Sequence, residues 1–80
     1  MVMSSEPIVV DALGVRCPIP VLRLRKAARR ATAGQMIIIS CDDPLAQIDV
    51  PNASRELGLE IVANEHERHL IRFIFRKRGA

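Results

Sequence analysis

Ile8-Val9-Val10 is an apolar run closed by Asp11, and Gly14 follows. The chain is thus expected to begin with a short strand at Ile8–Val10 and a loop at Asp11–Gly14, with Gly14 free to take a turn geometry that other residues resist. From Pro18 to about Thr32 the period changes. Val21, Leu24, Ala28 and Ala31 recur at helical spacing and form one apolar stripe. Arg23, Lys26 and Arg30 fall opposite that stripe, and Arg25 and Arg29 flank it. Ala33-Gly34 reads as the stop, with Gly34 suited to a left-handed cap. Met36-Ile37-Ile38-Ile39-Ser40-Cys41 is apolar on both faces, as in a strand paired in parallel across a helical crossover. Such a crossover is right-handed.

Asp43-Pro44 then predicts a helix start, with Asp43 as cap and Pro44 as first residue. Pro51 interrupts this segment, so a bent or restarted helix ending at Leu57-Gly58 is expected, with Val50, Ala53 and Leu57 on the core side. Leu59, Ile61 and Ala63 alternate with polar residues as a half-buried strand does. Residues 64–68 are polar and read as a hairpin turn. Ile71, Phe73 and Phe75 alternate with Arg72 and Arg76 in a last strand. The order is βαβαββ, an α+β two-layer sandwich with two helices on one face of a four-stranded mixed sheet. Residues 8–80 form a single domain and residues 1–7 a loose lead-in. One sheet face is left open, and either Ile37 and Ile39 or Met36 and Ile38 must lie on it, together with Ile74.

Composition makes the core aliphatic, because the chain has no Trp or Tyr and two Phe among 49% hydrophobic residues. The N-terminus lacks a basic region followed by an apolar stretch, and the longest apolar run is far short of a membrane span. A cytoplasmic protein with free thiols and no membrane association is expected. Charge adds a direction. Arg16, Arg23, Arg25, Lys26, Arg29 and Arg30 form a cluster with no acid among them, and Arg68, Arg72, Arg76, Lys77 and Arg78 form a second. The acids collect between, at Asp42, Asp43, Asp49, Glu56 and Glu60. A basic face suits an acidic partner or RNA, and equally a solvated helix side.

The candidate chemistry lies in Arg16-Cys17-Pro18-Ile19-Pro20. With Pro18 as the first helical residue, Cys17 becomes the helix cap. There the Ile19 and Val21 amides, the helix dipole and Arg16 all favour thiolate over thiol. A conventional Cys–His pair is hard to assemble, since His66 and His69 both fall near the predicted hairpin. Three apart on an extended strand, they also make a poor metal pair. The chain carries no CxxC pair, glycine-rich phosphate loop or nucleophile elbow. No metal or cofactor is therefore expected. Cys17 is read as reacting with the sulfur of another protein.

Residues Asp11 to Pro20, DALGVRCPIP, resemble the D-x-x-G-x-x-C-P-x-P signature of the TusA/SirA-like sulfur-carrier family. Asp42-Asp43-Pro44, continuing to Asp49-Val50-Pro51, is a second match. The resemblance implies a βαβαββ sandwich and a sulfurtransferase that works as a sulfur carrier. Cys17 would take sulfur as a persulfide from a cysteine desulfurase or rhodanese-like donor and pass it to an acceptor protein, in tRNA thiolation or another branch of sulfur metabolism. Asp11, Gly14, Pro18 and Pro20 would shape the loop and helix start. Arg16, with Arg23, Lys26 and Arg30 on the helix face, would guide partners, and any RNA contact would be indirect. Cys41 stands outside the motif, and a parallel strand pair brings it near the Cys17 loop, so it is a candidate second thiol or an inert core residue. Position 54 is Ser54, which leaves no further cysteine there. Two other readings stand beside the carrier: a basic RNA-binding or regulatory module without persulfide chemistry, and a redox protein using Cys17 and Cys41.

Overall fold

The computed structural model describes residues 6–79; residues 1–5 of the expected loose lead-in lie outside them. The elements are β1 (Ile8–Ala12), α1 (Ile19–Arg30), β2 (Met36–Cys41), α2 (Ala46–Glu56), β3 (Leu59–Glu67) and β4 (Leu70–Lys77). They form one four-stranded sheet in the order β1-β2-β4-β3. β1 and β2 pair in parallel, and the β2–β4 and β4–β3 pairs are antiparallel. The βαβαββ order and the mixed sheet are as the hydrophobic pattern predicts.

Both helices cover one sheet face. Beneath them lie Val10 and Ala12 of β1, Ile37, Ile39 and Cys41 of β2, and Ile71, Phe73 and Phe75 of β4. Leu24, Ala27 and Ala28 of α1 and Val50 and Ala53 of α2 close the core from above. Burying such aliphatic and aromatic side chains gains roughly 1.5–3 kcal/mol each relative to exposure. The Phe73 and Phe75 rings stack with centroids 5.6 Å apart. The choice left open for β2 is resolved by parity. Ile37 and Ile39 point into the core, and Met36 and Ile38 face away from the helices. On that outer face Val9, Ile38, Ile74 and Ala63 line up across the strands.

Several local expectations are corrected. α1 begins at Ile19 with Pro18 as its N-cap, so Pro18 is not the first helical residue and Cys17 is not the cap. The Ile19 N–H donates to the Arg16 carbonyl at 2.8 Å, closing a turn ahead of the helix. α1 ends at Arg30, and Gly34 (φ 85) serves the following turn into β2, where its N–H donates to the Lys77 carbonyl. α2 is continuous through Pro51. The absent proline N–H costs one bond, to the carbonyl of exposed Gln47, where solvent can substitute. The alternation read through Leu59, Ile61 and Ala63 is broken by a bulge at Val62. Ile61 pairs with Phe75 on the core side, and Ala63 pairs with Ile74 on the other. The polar residues 64–67 are strand, not turn. They extend the edge strand β3, and the hairpin closes at Arg68 (φ 57) and His69. Polarity there reflects an edge strand open to water on both faces.

Candidate functional site

In a parallel β1–β2 pair both strands end at the same edge of the sheet. Ala12 is paired with Cys41, so the loop carrying Cys17 and the loop carrying Asp42 and Asp43 emerge side by side. The first loop is tightly held. The Leu13 N–H donates to Asp11 Oδ1 at 3.0 Å, a local turn made by the aspartate's own side chain. Gly14 sits at φ 77, and its N–H donates to both carboxylate oxygens of Asp42, at 3.0 and 3.1 Å. The Cys17 N–H donates to Asp43 Oδ2 at 2.8 Å. Two carboxylates from the second loop thus peg the first at Gly14 and at Cys17. The Cys17–Pro18 peptide bond is cis. Pro20, in the first turn of α1, is buried.

Asp43 is itself buried and also accepts the Leu45 N–H at 3.1 Å. The Cys17 N–H, then the Leu45 N–H, hold its carboxyl below the ordinary value, with a smaller contribution from Arg16 working against burial. So Asp43 orders the turn before α2, close to its expected capping role, while α2 proper starts at Ala46.

Cys17 is exposed, and its thiol donates to Asp49 Oδ2 at 2.9 Å. The two residues, with Pro20, Val21, Asp43, Ala46 and Val50, line a shallow cleft between the amino-terminal ends of α1 and α2. This overturns one expectation. The thiol is not acidified. Its pKa is raised, first by the hydrogen bond to Asp49, then by partial desolvation and by the charges of Asp49 and Asp43. Of the acids that look like a separate stretch of sequence, Asp49 folds onto the sulfur, and Asp42 and Asp43 onto the loop that carries it. Their signal lay in the parallel pairing itself, which places the β1–α1 and β2–α2 loops together.

The remaining candidates divide. Asp11, Gly14, Arg16, Pro18 and Pro20 belong to the Cys17 loop and helix start. Arg23, Lys26 and Arg30 lie exposed on α1, and Arg23 donates from Nη1 to the Asp11 carbonyl at 2.6 Å. Cys41 is fully buried in the core, and burial, ahead of the charges of Asp42 and Asp43, pushes its pKa up to about 11. Ser54 is buried, with its hydroxyl donating to the Pro51 carbonyl at 2.7 Å. His66 and His69 are exposed on the β3–β4 hairpin. Among the described residues, neither hydrogen-bonds to Cys17 and no helix is long and apolar enough to cross a membrane.

The model of the family described as Sulfurtransferase TusA matches residues 8–77. The crystal structure of a SirA-like protein from Desulfitobacterium hafniense is similar at a TM-score of 0.75 and 26% identity, over 90% of this chain and 99% of that one.

Proposed function

This chain belongs to the TusA sulfurtransferase family, and we propose that it carries sulfur as a persulfide on Cys17 between a donor and an acceptor protein. The observation that carries the reading is the exposed residue Cys17 lining the cleft between the two helices, on a loop pegged by Asp42 and Asp43. Such a position lets a second protein reach the sulfur, while the cleft is too shallow to enclose a small substrate.

The chemistry conserves oxidation level. Cys17 loses its proton and attacks the outer sulfur of a donor persulfide. The donor's S–S bond breaks, its cysteine leaves as thiolate and takes up a proton, and Cys17–S–SH forms. A nucleophilic acceptor or an acceptor thiolate then removes the outer sulfur and regenerates Cys17. The donor fits a cysteine desulfurase or a rhodanese-like protein, and the cytoplasm fits a carrier that depends on a free thiol. A direct RNA-binding reading is less well supported, because Phe73 and Phe75 are both fully buried and the chain has no Trp or Tyr to stack a base.

Incubation with a cysteine desulfurase and cysteine, followed by intact mass measurement, tests the reading. One added sulfur atom is expected on the wild-type chain and none on Cys17→Ser. Absence of the added mass on the wild type, with a donor shown to be competent, overturns it.

A further inference from the structure

β1 is a terminal strand of the sheet, so one of its edges has no strand neighbour. A groove of about 290 Å³ runs along that edge, walled by Ile8, Val9, Val10 and Asp11 on one side and by Arg23, Lys26, Ala27 and Arg30 of α1 on the other. Val9 is 73% exposed. The Asp11 carbonyl accepts from Arg23, and so it points out of the sheet toward the groove. Alternation along a strand puts the N–H and C=O of Val9 on the same side as those of Asp11. The groove therefore combines the outward backbone of Val9 with three cations, of which Arg23 already holds the Asp11 carbonyl. Neither Lys26 nor Arg30 forms an ion pair with a carboxylate among the described residues.

We propose that this groove receives an extended acidic segment of a partner protein, which adds to the sheet beside β1. The spacing supports that occupant. Lys26 and Arg30 are one helical turn apart, about 6 Å along the axis. Alternate side chains on one side of a strand are about 6.6 Å apart. Acidic residues at every second position of an added strand would meet the two cations in step, while the strand's backbone satisfies the β1 edge. An exposed strand edge is otherwise an aggregation hazard, and a row of cations beside it restricts which segments can pair there. β1 leads directly into the Cys17 loop, so a partner tethered in the groove has its reactive centre near the carrier sulfur. The docking deepens the carrier reading and rests on it for its purpose, although the binding itself does not require the sulfur.

The test titrates a short peptide alternating Glu and Thr into the isotope-labelled full chain, with a Gln-for-Glu peptide and a single-stranded RNA oligonucleotide as separate arms. The Glu peptide is expected to shift the β1 and α1 amides and to slow hydrogen exchange at the Val9 N–H. Lys26→Glu with Arg30→Glu should weaken it about tenfold, from two exposed charge pairs reversed. Val9→Pro, which deletes an outward N–H on an edge strand, should abolish it. Binding that survives Val9→Pro, leaves Val9 exchange unchanged, or is as tight for RNA as for the Glu peptide overturns strand addition. If Val9→Pro fails to fold, the wild-type exchange measurement decides. Cys17→Ser should bind the peptide as the wild type does. Loss of docking with sulfur uptake intact refutes the groove alone, and docking without sulfur uptake refutes the carrier alone.

Discussion

Asp49 Oδ2 lies 2.9 Å from Cys17 Sγ and accepts the thiol proton's hydrogen bond, so the Cys17 sulfur rests against a negative charge. This reverses the electrostatics suggested by the neighbouring residues in sequence. Arg16 precedes Cys17, yet the groups that act on the sulfur are Asp49 and Asp43, and both hold the proton on. The dipole of α1 favours thiolate at this end, and a full carboxylate charge in hydrogen-bond contact outweighs that partial charge. A protonated thiol is a weak nucleophile toward stray disulfides.

Asp49→Asn removes the charge while keeping a hydrogen-bond acceptor. The Cys17 pKa should fall toward the ordinary thiol value, because a neutral amide oxygen holds the thiol proton less firmly than a carboxylate and the Asp49 charge is gone. Iodoacetamide alkylation measured against pH checks this. The midpoint should move to lower pH, and the rate at neutral pH should rise. A midpoint unchanged from wild type would mean that Asp49 does not govern the thiol.

Asp43→Ala removes the acceptor for the Cys17 and Leu45 amides at once. The Cys17 loop and the start of α2 should both loosen, seen as faster amide exchange at residues 14–17 and 44–46 and a lower Tm. The pH dependence follows from the depressed carboxyl of Asp43. Its stabilising contribution is complete above the ordinary Asp value of about 3.9 and is lost as pH falls through the lower folded value. Thermal melts from neutral to acid pH should therefore show an acid limb in the wild type that is weakened in Asp43→Asn.

Gly14→Ala isolates backbone strain. Gly14 is at φ 77, and a Cβ there would meet nothing within 4 Å. The cost is thus conformational alone, about 1–2 kcal/mol. Equilibrium denaturation should show that loss with an unchanged m-value. Sulfur loading should slow as well, since the strained residue anchors the Cys17 loop to Asp42.

The framework of this fold was readable because periodicity and burial agree. Leu24 and Ala28 fall on the α1 stripe, and Phe73 and Phe75 on the core side of β4, as their spacing predicts. The misreadings arise where tertiary position overrides local pattern. Residues 64–67 look like a turn because polar residues usually do, but an edge strand tolerates them. Pro51 looks like a breaker, but its lost bond falls where water is available. Arg16 and the following prolines, the neighbours of Cys17 along the chain, suggest an acidified thiol. The groups that set its chemistry, Asp43 and Asp49, are 26 and 32 residues away and reach it only through the parallel β1–β2 pairing.

Cys41 gives a prediction at the opposite end of the pH scale. It is fully buried, and its pKa is pushed up to about 11. The folded pKa is thus above that of an unfolded cysteine, about 8.5. The native state holds the proton more tightly, so the contribution is fully present below the unfolded value and disappears as pH rises through about 11. The wild type should lose about 3 kcal/mol across this alkaline window, on the order expected for a shift of that size. Cys41→Ala should start about 1 kcal/mol less stable, from the small cavity it leaves, and should lack the alkaline limb. If Cys41 only packs the core, the same variant at neutral pH should take up sulfur on Cys17 at the wild-type rate. A rate collapse without unfolding would instead make Cys41 a working partner of Cys17.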